Sequence, residues 1–70
     1  MDQRVIGIVK YFDIFKGFGF IQRQQGKDVF FFYNEINSSN KILNLGDRVS
    51  FILQKTPKGY RAFDITKEGE

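Results

Sequence analysis

Lys16-Gly17-Phe18-Gly19-Phe20-Ile21 and Asp28-Val29-Phe30-Phe31-Phe32-Tyr33 set aromatic rings on alternate residues. In a β-strand alternate side chains share a face, so Phe18 and Phe20 point the same way, and so do Phe30 and Phe32. Phe31 lies between its two neighbours and faces the other way, with Val29. The period of two makes the choice exclusive: with Phe31 in the core, Phe30 and Phe32 are on the surface. Around Phe18 and Phe20 stand Gly17, Gly19 and Ile21, so the opposite face of that strand is small and apolar. Two strands that each show a row of rings form a surface for stacking flat ligands, and every nucleobase has a π-face.

Working outward, glycines and polar clusters cut the chain into short segments of strand character. Strands are expected over Val5 to Phe12, Gly17 to Arg23, Asp28 to Tyr33, Arg48 to Gln54 and Tyr60 to Thr66. Asp13 to Lys16 is a short connection. Gln24-Gln25-Gly26-Lys27 reads as a hairpin turn with positive φ at its glycine. Asn34 to Leu45 is a polar stretch, with Asn37-Ser38-Ser39-Asn40 its least ordered part, and Gly46-Asp47 a turn. Thr56-Pro57-Lys58-Gly59 has proline second and glycine fourth, as a β-turn prefers. Five short strands without a helical period predict an all-β domain. Closure into a five-stranded antiparallel OB-fold barrel, the oligonucleotide-binding type, removes most of its edges.

Gly17 and Gly19 allow the coiling a small barrel needs, and are expected to leave bare backbone beside Phe18 and Phe20 where a base approaches. Phe51 and Phe63, in alternating apolar strands, are expected in the core. Tyr11 and Phe12 are adjacent: Tyr11 is expected outside, with Lys10 flanking it, while a bulge would bring both to one face.

Seventy residues make one domain of modest core. No cysteine and no histidine occur, which excludes thiolate metal sites, disulfides, and Ser–His or Cys–His dyads. No enzyme and no cofactor are expected. No apolar run nears the roughly 20 residues of a membrane span, and Met1-Asp2-Gln3-Arg4 does not begin a signal peptide, so a cytoplasmic protein is expected. Eleven Lys and Arg against eight Asp and Glu give a net charge of +3. Lys10, Lys16, Arg23 and Lys27 interleave with the aromatic strands, as binding to a phosphate backbone requires.

The stretch Gly7 to Ile21, GIVKYFDIFKGFGFI, resembles the first signature of the cold-shock protein family, and Asp28 to Ile36, DVFFFYNEI, the second. GDRVSF from Gly46 and KGYRAFDI from Lys58 follow in register. The family comprises small single-domain bacterial proteins that share their fold with eukaryotic cold-shock domains. The resemblance implies a five-stranded barrel that binds single-stranded RNA and DNA and acts as an RNA chaperone. Carried over by position, the nucleic-acid-binding residues are Lys10, Tyr11, Phe12, Lys16, Phe18, Phe20, Asp28, Phe30, Phe32 and Tyr33, with Lys58 and Gly59 in the last turn.

The chain departs from the family pattern at several of these positions. Tyr11 stands where Trp is usual and offers less area for stacking. Phe32 stands for His, which keeps stacking and loses a polar contact. Phe31 stands for Val, so the core must make room. Asp13 stands for Asn and adds a negative charge near the binding loop. Asn37 to Lys41 lacks the aromatic that the family often carries there. A monomer is expected. The reading from another class is a protein-interaction or homodimerising barrel that uses the same exposed rings. A translation-factor-like barrel on structured RNA would need a denser basic surface than +3.

Overall fold

Strands that close into a ring alternate in direction only if their number is even, and here it is five. The structure, a computed structural model, describes residues 4–37 and 41–68. It forms a closed barrel of β1 (Arg4–Asp13), β2 (Phe18–Arg23), β3 (Val29–Phe32), β4 (Arg48–Thr56) and β5 (Gly59–Lys67), in the order β1-β2-β3-β5-β4. Four seams are antiparallel, as expected; the closing seam of β3 with β5 is parallel, through Phe30 and Arg61. An odd ring requires one such seam. A short 3₁₀ turn, Tyr33–Glu35, follows β3, and Ile36 extends the seam by bridging Ile65. Of Asn37 to Asn40, expected to be the least ordered part, Ser38 to Asn40 lie outside the described residues. No helix among the described residues is long and apolar enough to cross a membrane.

All five strands contribute to the core, which includes Val9, Ile21, Val29, Phe31, Val49, Phe51, Ala62 and Ile65. Each of these side chains except that of Ala62 contributes about 1.5–3 kcal/mol by leaving water. The polar stretch adds Ile36 and Leu43 to the core, two apolar residues the strand pattern did not single out.

Two irregularities reset the alternation. In β1 the pairing with β2 shifts between Val9 and Tyr11. Val9 is buried, Tyr11 is turned outward, and Phe12 packs against the core. In β5 the pairing with β4 shifts opposite Asp64, whose φ is 52°. Ala62 and Ile65 both point inward, three residues apart, and Phe63 is left outside the core. Phe63 was expected inside; the bulge reverses its face. Arg4 fastens this bulge, donating to Asp64 Oδ2 (3.0 Å), to the Asp64 carbonyl and to Ser50 Oγ (3.1 Å). The Asp64 N–H donates to Glu35 Oε1 (3.3 Å) instead of to a strand.

Gly17 and Gly19 also differ from expectation, because both are buried. Gly19 pairs with Phe31, and a Cβ there would lie 2.7 Å from Phe31 Cζ. At Gly17, with φ 76°, it would lie 2.9 Å from Tyr33 Cδ1. Their bare backbone is covered by protein rings and is not open to a base. The missing side chain of Gly19 is space that the Phe31 ring fills.

Candidate functional site

Parity carries Phe18 and Phe20 of β2, and Phe30 and Phe32 of β3, to the outer face of two paired strands. Phe18 stands opposite Phe32 and Phe20 opposite Phe30. The β1 bulge adds Tyr11 opposite Phe20. Phe30 is the hub, with its ring 5.6 Å from Phe18, 5.7 Å from Phe20 and 4.8 Å from Phe32. Tyr11 lies 6.1 Å from Phe18 and 6.3 Å from Phe20. The tilted and edge-on angles are those that aromatic quadrupoles favour. Phe18, Phe20 and Phe30 are half-buried by one another, while Phe32 and Tyr11 are exposed at the margins. Five rings therefore lie outside the core on one contiguous face.

The neighbouring groups are largely fixed. Lys10 Nζ reaches across β2 to Asp28 Oδ2 (3.2 Å), so these two expected site residues form an ion pair. Asp13 organises the β1–β2 loop: its Oδ1 accepts from the N–H groups of Phe15 (3.1 Å) and Lys16 (3.0 Å), and its Oδ2 from the Tyr11 hydroxyl (3.2 Å). The Lys16 N–H bond is the main reason the Asp13 carboxyl sits below its ordinary range; partial desolvation opposes it, and the Tyr11 and Phe15 bonds and the Lys16 charge add to it. The Tyr11 phenol is pushed up, first by desolvation, then by the Asp13 charge and hydrogen bond.

The remaining expected residues divide among three places. Lys58, in the β4–β5 hairpin, lines a groove of ≈ 620 Å³ with Phe20, Phe30 and Phe32. Its partner in the turn, Gly59, has its carbonyl held by Thr56 Oγ1 (2.7 Å) and its φ at 123°. Lys16 and Tyr33 lie instead in a second groove beside the loop, with Ile14 and Phe15. Tyr33 covers Gly17 and its N–H donates to the Gly17 carbonyl (2.8 Å), away from the five-ring cluster. Phe12 stacks on Phe31 at 5.7 Å and packs against the core, so it does not share the face of Tyr11.

Closure of the barrel brings in residues that strand-by-strand reading did not assign to the site. Tyr60 and Arg61 of β5, with Pro57, complete the groove beside Phe30 and Phe32. The Arg61 guanidinium lies 4.6 Å over Phe32 and 5.0 Å over Phe63. Arg23 lies 5.1 Å over Tyr60. The parallel β3–β5 seam is the signal that would have found them. On the loop, Phe15 is 97% exposed, and alternation gives no account of a loop residue. No group of three or more Asp or Glu that could hold a metal occurs among the described residues.

The model of the 'Cold-shock' DNA-binding domain matches residues 5–68. Cold shock protein CspC of Bacillus subtilis is 42% identical over 62 residues, covering 87% of this chain and 94% of that protein. The major cold shock protein of Streptococcus pyogenes serotype M6 is also 42% identical, over 87% of this chain and 92% of that protein. Among solved structures, Drosophila Unr CSD456 superposes with a TM-score of 0.81 at 21% identity, over 94% of this chain and 27% of that one. At that identity the superposition speaks to the fold.

Proposed function

The chain belongs to the family of the 'Cold-shock' DNA-binding domain, a nucleic-acid-binding family, and from that premise we propose that it binds single-stranded RNA and DNA and acts as an RNA chaperone. The observation that carries this reading is the contiguous face of Tyr11, Phe18, Phe20, Phe30 and Phe32 outside a core that has no need of them. Each base stacked on such a ring contributes about 1–3 kcal/mol. Lys10, Lys16 and Lys58 draw the phosphates to the rim. Bases within a duplex already stack on one another and cannot offer their faces, so the single strand is preferred. Mass action then draws folded RNA toward its open form, without ATP and without chemistry. The protein works in the cytoplasm as a monomer.

Titration with a short oligopyrimidine strand and with its duplex, at two salt concentrations, tests this. Tyrosine emission reports binding, because there is no Trp and Tyr11 lies at the margin of the rings. Quenching by the single strand and little response to the duplex is the expected result. Equal response to both, or none, would reject the stacking reading and leave the rings to a protein partner.

A further inference from the structure

Arg61 is a cation without a counter-charge. Its guanidinium lies over the rings of both Phe32 and Phe63, and its Nε is buried without a hydrogen-bond partner. No hydrogen bond or ion pair to the Arg61 side chain occurs among the described residues. The acid nearest in sequence, Asp64, is occupied by Arg4. The buried Nε is out of reach of a ligand, but the terminal nitrogens also have no acceptor among the described residues and are free to take one from outside. Arg61 lines the groove formed by Phe20, Phe30, Phe32 and the β4–β5 hairpin. With Nε enclosed by the rings, the terminal nitrogens are the donors it offers to that groove.

The nature of the acceptor follows from where the groove lies. The groove is walled by rings, which take bases, while the exposed Lys58 at its rim takes a phosphate. A planar guanidinium packed against two rings is a fork of parallel donors with little freedom, and it matches two adjacent acceptors. Guanine presents such a pair, O6 and N7. On the same edge adenine presents N7 beside an N6 donor, which would face another donor, and uracil presents O4 alone; cytosine carries an adjacent pair, O2 and N3, only on its Watson–Crick edge, and the C-containing strands below separate it from guanine. We propose that Arg61 reads guanine at the Phe30–Phe32 end of the site, which makes it the specificity-determining residue of this chain. This inference rests on the single-strand reading above.

The test uses the whole chain and a six-nucleotide uridine strand, with one G, A or C placed at each position in turn. Adenine is the control for stacking, because both purines stack more strongly than uracil. One position is expected at which G binds about 5- to 100-fold tighter than A. Arg61→Lys keeps the charge but not the fork. It should abolish the preference for G over A and leave the salt slope unchanged. Equal binding of G and A in the unaltered protein overturns the proposal, whatever the variant does. So does a preference that survives in Arg61→Lys. A uniform loss for every sequence in Arg61→Gln, with the salt slope reduced by about 0.7, overturns it in favour of a phosphate contact. Failure to bind any single strand rejects the underlying reading, a result distinguishable from the others.

Discussion

Phe30 and Phe31 are consecutive and chemically identical, and their opposite faces give them opposite roles. Phe31 is fully buried against Gly19 and Phe12, whereas Phe30 joins three outer rings. Phe31→Ala should cost about 3–5 kcal/mol and unfold much of the population of so small a domain. Phe30→Ala should change the melting temperature little and weaken single-strand binding by about 1–3 kcal/mol. Urea melts and titration on both variants check this; marked unfolding of Phe30→Ala would invert the face assignment. Tyr11 and Asp13 give a second residue-level expectation. A carboxylate whose folded pKa is depressed contributes stability above its unfolded pKa and loses it as pH falls through the folded value. The hold of Asp13 on the β1–β2 loop is therefore complete near neutrality and fades below about pH 4. Asp13→Asn should bring the raised Tyr11 titration partway back toward the ordinary phenol range. Only part returns, because desolvation, the largest cause, remains. A ¹³Cζ chemical-shift titration of Tyr11 reads this directly.

At the scale of the element, β2 and β3 are tied by a complementary pair, the glycine at 19 and the ring at 31. A side chain at Gly19 meets both Phe31 and the Tyr11 carbonyl. Gly19→Ala should therefore cost about 1–3 kcal/mol by overpacking. Adding Phe31→Val should recover only part of that, because the Tyr11 carbonyl stays where it is. Urea denaturation of both singles and the double variant measures this coupling, and full additivity would contradict it. The same strands show what the sequence makes legible. Alternation gave the faces of Phe18, Phe20, Phe30, Phe31 and Phe32 because β2 and β3 pair without a register shift. It misassigned Phe63 because a single residue of positive φ, Asp64, is not announced by any glycine. It overlooked Tyr60 and Arg61 because their place in the site depends on a seam between strands far apart in sequence. The resemblance to the family added Phe12 and Tyr33. Here Phe12 packs against the core, and Tyr33 covers Gly17 in the second groove.

For the whole molecule, the balance between stacking and charge decides how binding responds to salt. The net charge is only +3, and one of the cations near the rings, Lys10, is already paired with Asp28. A single strand loses affinity with a log–log slope of about −0.7 per phosphate neutralised. Lys16 and Lys58 provide two such contacts, and Lys10 a third only where a phosphate displaces Asp28, so a slope between about −1.4 and −2 is expected. A slope steeper than about −4, corresponding to six contacts, would mean that charge rather than stacking holds the strand, which a barrel of this modest charge is poorly made to do. Lys16→Gln and Lys58→Gln should each flatten the slope by about 0.7 and weaken all sequences alike. Phe30→Ala should lower the affinity and leave the slope unchanged. These measurements belong with sedimentation at several dilutions, because exposed rings also suit a contact between copies. A mass that stays monomeric on dilution, with the expected slope, assigns the aromatic face to nucleic acid. A mass that rises with concentration, and falls back when oligonucleotide is added, would show one face serving two competing partners.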